Sequence, residues 1–385
     1  MNSKERVKTA LELKEPDRIP LDIGGTRVSG IHIGAYHLFR QFYGLPQIKP
    51  EIFVRYLQLA KIEEDFRNFL KVDLESINPN SLAEDGEIED RENGKYYLDR
   101  WNCGWYMPEG GNYFDLKDFP LAEAKEVKDI LGCHLPDPCS EIMFKDFIED
   151  AIKINNERKR AIVLSRDCAG IFEMAMFLRG HEKFMLDLAM DTKSVEALLD
   201  KILEYKLAYW QKAIEKIMCA NCDYFIITES DDLGSQNGLL ISPEMYRHFI
   251  KPRHTQLFNA IKKWSQGRAY IELHCCGSIR EIIPDFIESG VKILNPVQVS
   301  AVNMDTAELK KEFGDSIVFH GGGLDSQHTL PYGTAAEVKD EVKRRIEDLA
   351  PGGGFIFTPV HSIQSGVPPE NFAAMMETFY SYASY

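Results

Sequence analysis

The stretch IELHCCGSI, residues 271–279, ends an apolar, strand-like run in His274, Cys275, Cys276 and Gly277. In an extended chain, residues i and i+2 share a face. His274 and Cys276 therefore point together, and Cys275 points the other way. An imidazole and a thiolate on one face are the ligands zinc takes. Gly277 lets the backbone turn sharply behind them. The competing reading is packing, since cysteine fills cores as a small hydrophobe. Other residues able to do chemistry stand at comparable places, in or just past short apolar runs. These are Asp167, then Glu229, Asp231 and Asp232, then Asn295 and Gln298, then His320, and finally His361. Glu229, directly after YFIIT, is the first acidic candidate, as a fourth metal ligand or a catalytic group, and Asp232 is the second. Asn295, Gln298, Gln327 and Gln364 offer uncharged hydrogen bonds, either to a substrate or to loop backbone.

These positions make sense if each apolar run is a strand. RAIVLSR (160–166), DYFIITES (223–230), AYIELH (269–274), VKILNP (291–296), SIVFHGG (316–322) and GFIFTP (354–359) are continuous rather than alternating. That is the pattern of parallel strands buried on both faces. RIPLDIGG (18–25) is expected as a seventh. Helical patterns lie between the runs, as in 193–217 and 334–350. In the latter, Val338, Val342, Ile346 and Leu349 recur at helical spacing, and Glu341 and Arg345 form an i,i+4 pair expected on the outer face. Alternating strands and helices mean a doubly wound sheet or a barrel. Polar residues at so many strand ends favour an α/β TIM-type (β/α)8 barrel, which gathers them at one mouth. No G-x-G-x-x-G follows the first strand, which removes support for a dinucleotide fold. Residues about 43–140 fit this scheme poorly. The segment 84–115, rich in Gly, charge and aromatics, reads as an insertion that forms a lid over the mouth, with Trp105 and Tyr113 set to stack on a substrate. The whole chain, 1–385, reads as a single barrel domain with this N-terminal elaboration.

The composition, 44% hydrophobic and 27% charged over 385 residues, is that of a globular protein with a large core. A formal net charge of −15 repels polyphosphate and argues against nucleic acid as a partner. No run reaches the ~18 apolar residues that suggest a membrane span. The charged N-terminus reads as a short helix capped by Ser3 and stopped before Pro16, not as a signal peptide. Eight cysteines without a disulfide framework point to a reduced, cytoplasmic setting. Cys219 and Cys222 have knuckle spacing but lack a second pair, and read as packing. The glycine runs 321–323 and 352–354 read as tight turns rather than phosphate cradles.

Four segments carry a family likeness: DDLGSQNGLLISPEMYRHFIKPRH (231–254), LHCCGSIREIIPDFIESGVKILNPVQ (273–298), FHGGGLDSQHTLPYGTAAEV (319–338) and GGGFIFTPVHSIQSGVPPENF (352–372). Together they resemble the uroporphyrinogen decarboxylase superfamily, strongly from about 160 onward and weakly before. The resemblance implies a TIM-type barrel, in agreement with the strand pattern. It spans two chemistries, the heme-pathway decarboxylase and zinc-dependent methyltransferases that work with corrinoid proteins, and a shared fold does not choose between them. The decarboxylase carries an Arg-rich segment after its first strand, which neutralises a substrate bearing many carboxylates. Here the matching segment, 19–30, holds only Arg27. The methyltransferase branch carries a His-x-Cys pair and a distant third ligand, usually Cys, before a Pro-x-Glu-Asn segment. His274 and Cys276 match the pair. Counted back from Pro369-Glu370-Asn371, the third position falls on His361, a His where the family has Cys.

The resemblance thus implies zinc on His274, Cys276 and His361, with Glu229 or water as the fourth ligand. It implies a methyltransferase working between a small molecule, such as a methyl ether or methylamine, and cobalamin on a corrinoid protein partner. A Lewis acid on the donor heteroatom stabilises the leaving alkoxide or amine, and a cob(I)amide is nucleophilic enough to take the methyl. Glu229 and Asp232 are then the catalytic candidates, and Arg27, Asn295, Gln298, His320 and Gln364 the substrate-binding ones. A homodimer is compatible with this scheme. The rivals are a metal-free decarboxylase and a docking module that binds a corrinoid protein without chemistry.

Overall fold

A computed structural model describes residues 1–385. Its centre is a curled sheet of seven strands: β1 (Leu74–Ile77), β2 (Ala161–Leu164), β3 (Phe225–Ser230), β4 (Ala269–His274), β5 (Ile293–Asn295), β6 (Val318–His320) and β7 (Phe355–Ile356). Neighbours in sequence are neighbours in the sheet, and all pairs are parallel. Six of these strands are the apolar runs read from the sequence. The expected seventh run, 18–25, makes only isolated bridges, Arg18 to Ser384 and Leu21 to Phe357, because Pro20 has no N–H to give a ladder. It still touches both edges of the sheet. Phe357 N–H donates to the Pro20 carbonyl (2.8 Å), and Asp22 N–H donates to the Phe357 carbonyl (2.9 Å). On the other side, Asp73 N–H donates to the Leu21 carbonyl (2.9 Å) and Ser76 N–H to the Gly25 carbonyl (2.8 Å). A second stitch follows: Ile363 N–H donates to the Gly30 carbonyl and His32 N–H to the Ile363 carbonyl, each at 2.8 Å.

Strand β1 lies inside the range 43–140 that the sequence pattern assigns to an insertion. Its apolar run is broken by carboxylates that are nonetheless buried. Glu75 pairs with Arg158 and with Arg160 Nη1 (2.9 Å). Asp73, just before the strand, takes Arg6 Nη1 and Arg18 Nη1, both at 2.7 Å, and the Leu21 N–H at 2.8 Å. The rest of that range holds a separate four-stranded antiparallel sheet over 89–91, 94–98, 104–108 and 115–118. Trp105 is not free to stack on a substrate. It is buried, its Nε1 donates to Asp99 (2.8 Å), and its ring stacks on Tyr56 (4.9 Å between centroids).

The helices that matter to the site are α1 (Ser3–Leu11), α2 (Ile171–Arg179), α3 (Thr192–Cys219), α4 (Thr306–Phe313) and α5 (Ala335–Leu349). The cap of α1 is Asn2 rather than Ser3. Its side chain accepts from Glu5 N–H while the Glu5 carboxylate accepts from Asn2 N–H, a capping box. Val7 and Leu11 of α1 pack with Leu74, Val163, Ile226, Ile293, Val318 and Ile356, an apolar layer at one end of the sheet interior. One pleat along each strand, two residues on, the interior turns polar: Thr228, Glu272, Asn295, His320 and Thr358, all buried. Another pleat brings Ser230 and His274. The Glu341–Arg345 pair of α5 forms at 2.9 Å, but it is buried rather than outward, because Arg345 also reaches Thr306 of α4 (3.1 Å). No helix is long and apolar enough to cross a membrane.

Candidate metal centre

His274 closes β4, with Ser230 of β3 and Asn295 of β5 beside it in register. Asn295 Nδ2 donates to the His320 carbonyl (2.8 Å), which fixes the amide's orientation. Its Oδ1 is therefore the acceptor for His274 Nδ1–H, at 2.6 Å. This places the imidazole proton on Nδ1 and leaves a lone pair on Nε2. That nitrogen lies 3.4 Å from Cys276 Sγ. His361 arrives from the segment after β7, and donor atoms of all three residues lie within 4.8 Å of one another. Two ligands held ~2.0–2.3 Å from one tetrahedral zinc stand roughly 3.3–3.7 Å apart. The His274–Cys276 spacing fits that ion, and a small side-chain adjustment brings His361 to the third corner. Cys275 faces away and is buried, as alternation requires. Gly277 turns the chain at φ +93°, where a Cβ would lie 2.4 Å from the Gly234 backbone.

The surroundings favour ligand chemistry. Burial, then the Arg166 charge, holds His274 down to about 3. Burial, then His274, holds His361 down to about 4. Both imidazoles are neutral near pH 7, the form that binds metal. Burial, then Asp232, pushes the Cys276 thiol well above its ordinary value, and a bound cation opposes both effects. Asp232 Oδ1 accepts the Cys276 N–H (2.7 Å) and lies 3.9 Å from His274 Nε2. Burial raises its carboxyl above the usual range. A cavity of about 790 Å³ opens over the cluster, lined by Cys276, Gln298, His361, Gln364, Tyr113 and Gln327 among others. Gln298 accepts the Gly277 N–H (2.9 Å). Gln364 donates to the Ser362 carbonyl (2.8 Å) and accepts from the Tyr113 hydroxyl.

Three candidates do not stand where the sequence reading puts them. Glu229 is not beside the metal donors. Its register partner is Leu273, one residue off from His274, so it faces the helices, where Lys206 Nζ (2.8 Å) and Trp210 Nε1 of α3 take both carboxylate oxygens. His320 does not face a substrate. It is fully buried one pleat below His274, between Glu272 (Nδ1, 2.7 Å) and Asp22 (Nε2, 3.1 Å). Burial alone would lower its pKa, but the two carboxylates overcome burial and raise it to about 10. Asn295 is likewise interior, and it orients His274 rather than a substrate. Arg27 lies in a smaller recess with Tyr56 and Trp105, and it donates to the Tyr56 hydroxyl (2.7 Å). Its charge still reaches His274. Cys219 is exposed and Cys222 buried, and neither joins a group of metal donors. Gly322 turns at φ +84° against Val297, the tight turn expected for its run.

Two mouth residues escape the sequence reading. Glu173 of α2 accepts from the Ser230 hydroxyl (2.9 Å). Burial, then the carboxylates of Asp232 and Asp231, raises it to about 7. Arg166 is the charged residue two past β2, one before the Asp167 that the strand-end pattern singles out.

The uroporphyrinogen decarboxylase (URO-D) family matches residues 103–382 of the chain. A uroporphyrinogen decarboxylase of Thioalkalivibrio sulfidiphilus (strain HL-EbGR7) is 24% identical over 147 residues, 36% of this chain. That match spans 38% of the relative's own length. Among solved structures, a methyltransferase from Methanosarcina mazei superposes over 99% of both chains, with a TM-score of 0.68 at 19% identity. That likeness is one of fold.

Proposed function

The chain belongs to the uroporphyrinogen decarboxylase family, and from that premise we propose that it is a zinc-dependent methyltransferase, moving a methyl group between a small molecule and a corrinoid protein. The observation that carries this reading is the His274–Cys276–His361 donor set, gathered at the mouth of a parallel sheet beneath a cavity. Zinc bound there supplies a Lewis acid for the heteroatom of a methyl ether or methylamine. The chain's own residues do the rest. Asn295 holds the His274 proton on Nδ1. Asp232 and Gln298 fix the backbone on either side of the Cys276–Gly277 bond, and Asp232 takes the acidic role first assigned to Glu229. Gln298 and Gln364, on the cavity wall, orient the substrate. The segment 18–25 serves as the eighth position of a single barrel domain, and the antiparallel insertion with Tyr113 serves as its lid. Metal-free decarboxylation of a polycarboxylate finds less support, because the one arginine of 19–30 is engaged by Tyr56.

The test is metal content of the purified protein by mass spectrometry, beside His274→Ala and Cys276→Ser, followed by methyl transfer from methoxylated compounds to cob(I)alamin. The expected result is close to one zinc per chain, lost together with transfer in both variants. Full metal and full transfer in Cys276→Ser would refute the reading.

A further inference from the structure

One buried cation at the mouth has no partner in the fold. Arg166 is 8% exposed, and neither its Nε nor its Nη1 meets an acceptor. The other four buried arginines are all ion-paired: Arg6 with Asp73, Arg40 with Asp65, Arg160 with Glu75 and Arg345 with Glu341. Pairing is the rule because taking a guanidinium out of water is costly unless an anion and hydrogen bonds offset it. A buried donor left without an acceptor therefore calls for a cause.

No neighbouring carboxylate pairs with it, although Asp167 Oδ1 beside it is also without a donor. Asp167 accepts the Tyr205 hydroxyl (2.6 Å). Asp231 accepts the Phe172 and Glu173 N–H groups (3.1 and 2.9 Å) and faces His254 Nε2 (2.9 Å). Asp232 holds the Cys276 N–H, and Glu173 holds the Ser230 hydroxyl. Arg166 stands two residues past the end of β2, and β2 runs parallel to β3, with Leu164 opposite Ile227, so it leaves the sheet at the same end as Ser230 and His274. We propose that Arg166 is an anion-binding residue and that the small molecule handled at this mouth carries a carboxylate. In its proximity to methyl chemistry this rests on the methyltransferase reading, but the carboxylate preference itself does not. Guanidinium matches a carboxylate by charge and by planar donor geometry, and the pairing is strongest where water is excluded.

The experiment is isothermal titration of the zinc-supplemented protein with three pairs of probes: methoxyacetate and methoxyacetamide, benzoate and benzamide, 4-methoxybenzoate and 4-methoxybenzamide. The wild type is expected to bind at least one carboxylate ~10- to 100-fold more tightly than its amide, the range of a charge-assisted hydrogen bond. Arg166→Gln is expected to bind both members of that pair equally, with metal content and melting temperature unchanged. Arg166→Lys, which keeps the charge without the planar fork, is expected to retain part of the preference and serves should the Gln variant fold poorly. Equal binding of every pair by the wild type overturns the proposal, as does an undiminished preference in Arg166→Gln. A carboxylate preference in a protein that neither holds zinc nor transfers methyl would sink the methyltransferase reading while leaving the Arg166 assignment standing.

Discussion

At the scale of single residues, the centre depends on which atom of an imidazole carries a proton. Asn295 decides this for His274, and the His320 carbonyl decides it for Asn295. Asn295→Leu should weaken zinc binding ~10- to 100-fold, the usual effect of removing a ligand's hydrogen-bond partner. Asn295→Asp, which keeps an acceptor, should do less harm, and chelator competition measures both. Glu173 gives a pH signature. Its carboxyl is raised to about 7 by burial and by Asp232 and Asp231, against Arg166 and the Ser230 hydroxyl. A carboxyl raised by folding contributes stability that is present below its unfolded value of about 4.5 and is lost as pH rises through about 7. Glu173→Gln should therefore gain melting temperature relative to wild type between about pH 5 and about pH 8; an unchanged difference across that window would contradict the assignment. The juxtaposition of His274 and Cys276 was legible in sequence because i and i+2 share a face, whereas His361 was legible only through the family resemblance. Glu229 was misplaced because nearness to the strand end was read without parity. Only the register, which pairs Glu229 with Leu273 and Ser230 with His274, shows which side each residue takes.

At the scale of elements, six strands were legible as apolar runs, and β1 was not. Its carboxylates look like surface, yet Asp73 and Glu75 are buried and saturated by arginines from α1, the 18–25 segment and the approach to β2. No reading of one strand reveals partners so distant in the chain. Asp73→Ala removes the acceptor shared by Arg6, Arg18 and Leu21 N–H. It should cost about 3–5 kcal/mol, the usual loss when one member of a buried ion pair is removed. It should also speed amide exchange at Asp73 and Phe357 more than at the β3–β4 centre. Denaturant unfolding and hydrogen exchange test the two parts separately.

At the scale of the whole molecule, the sheet interior is layered: apolar beside α1, charged at Asp22–His320–Glu272, then the metal donors. The charged layer was visible in sequence only as polar residues near strand ends. Whether such a residue stands above the mouth or beneath it depends on strand stagger, which local pattern does not carry. With its pKa raised to about 10 by Glu272 and Asp22, His320 contributes stability that is present below its unfolded value of about 6.5 and is lost as pH climbs through about 10. His320→Gln strands two buried carboxylates and should destabilise the protein by about 3–5 kcal/mol at neutral pH. Denaturant melts of both proteins from about pH 7 to about pH 10 should converge as the wild type loses its cation.

The stitch between Gly30–His32 and Ile363 joins the far ends of the chain right beside His361. During synthesis, His274 and Cys276 leave the ribosome long before His361, and His361 is seated only when the segment after β7 returns to Gly30–His32. A nascent or truncated chain thus has two of the three donors. On the proposed zinc reading, retention of the metal separates finished molecules from those whose ends have yet to meet.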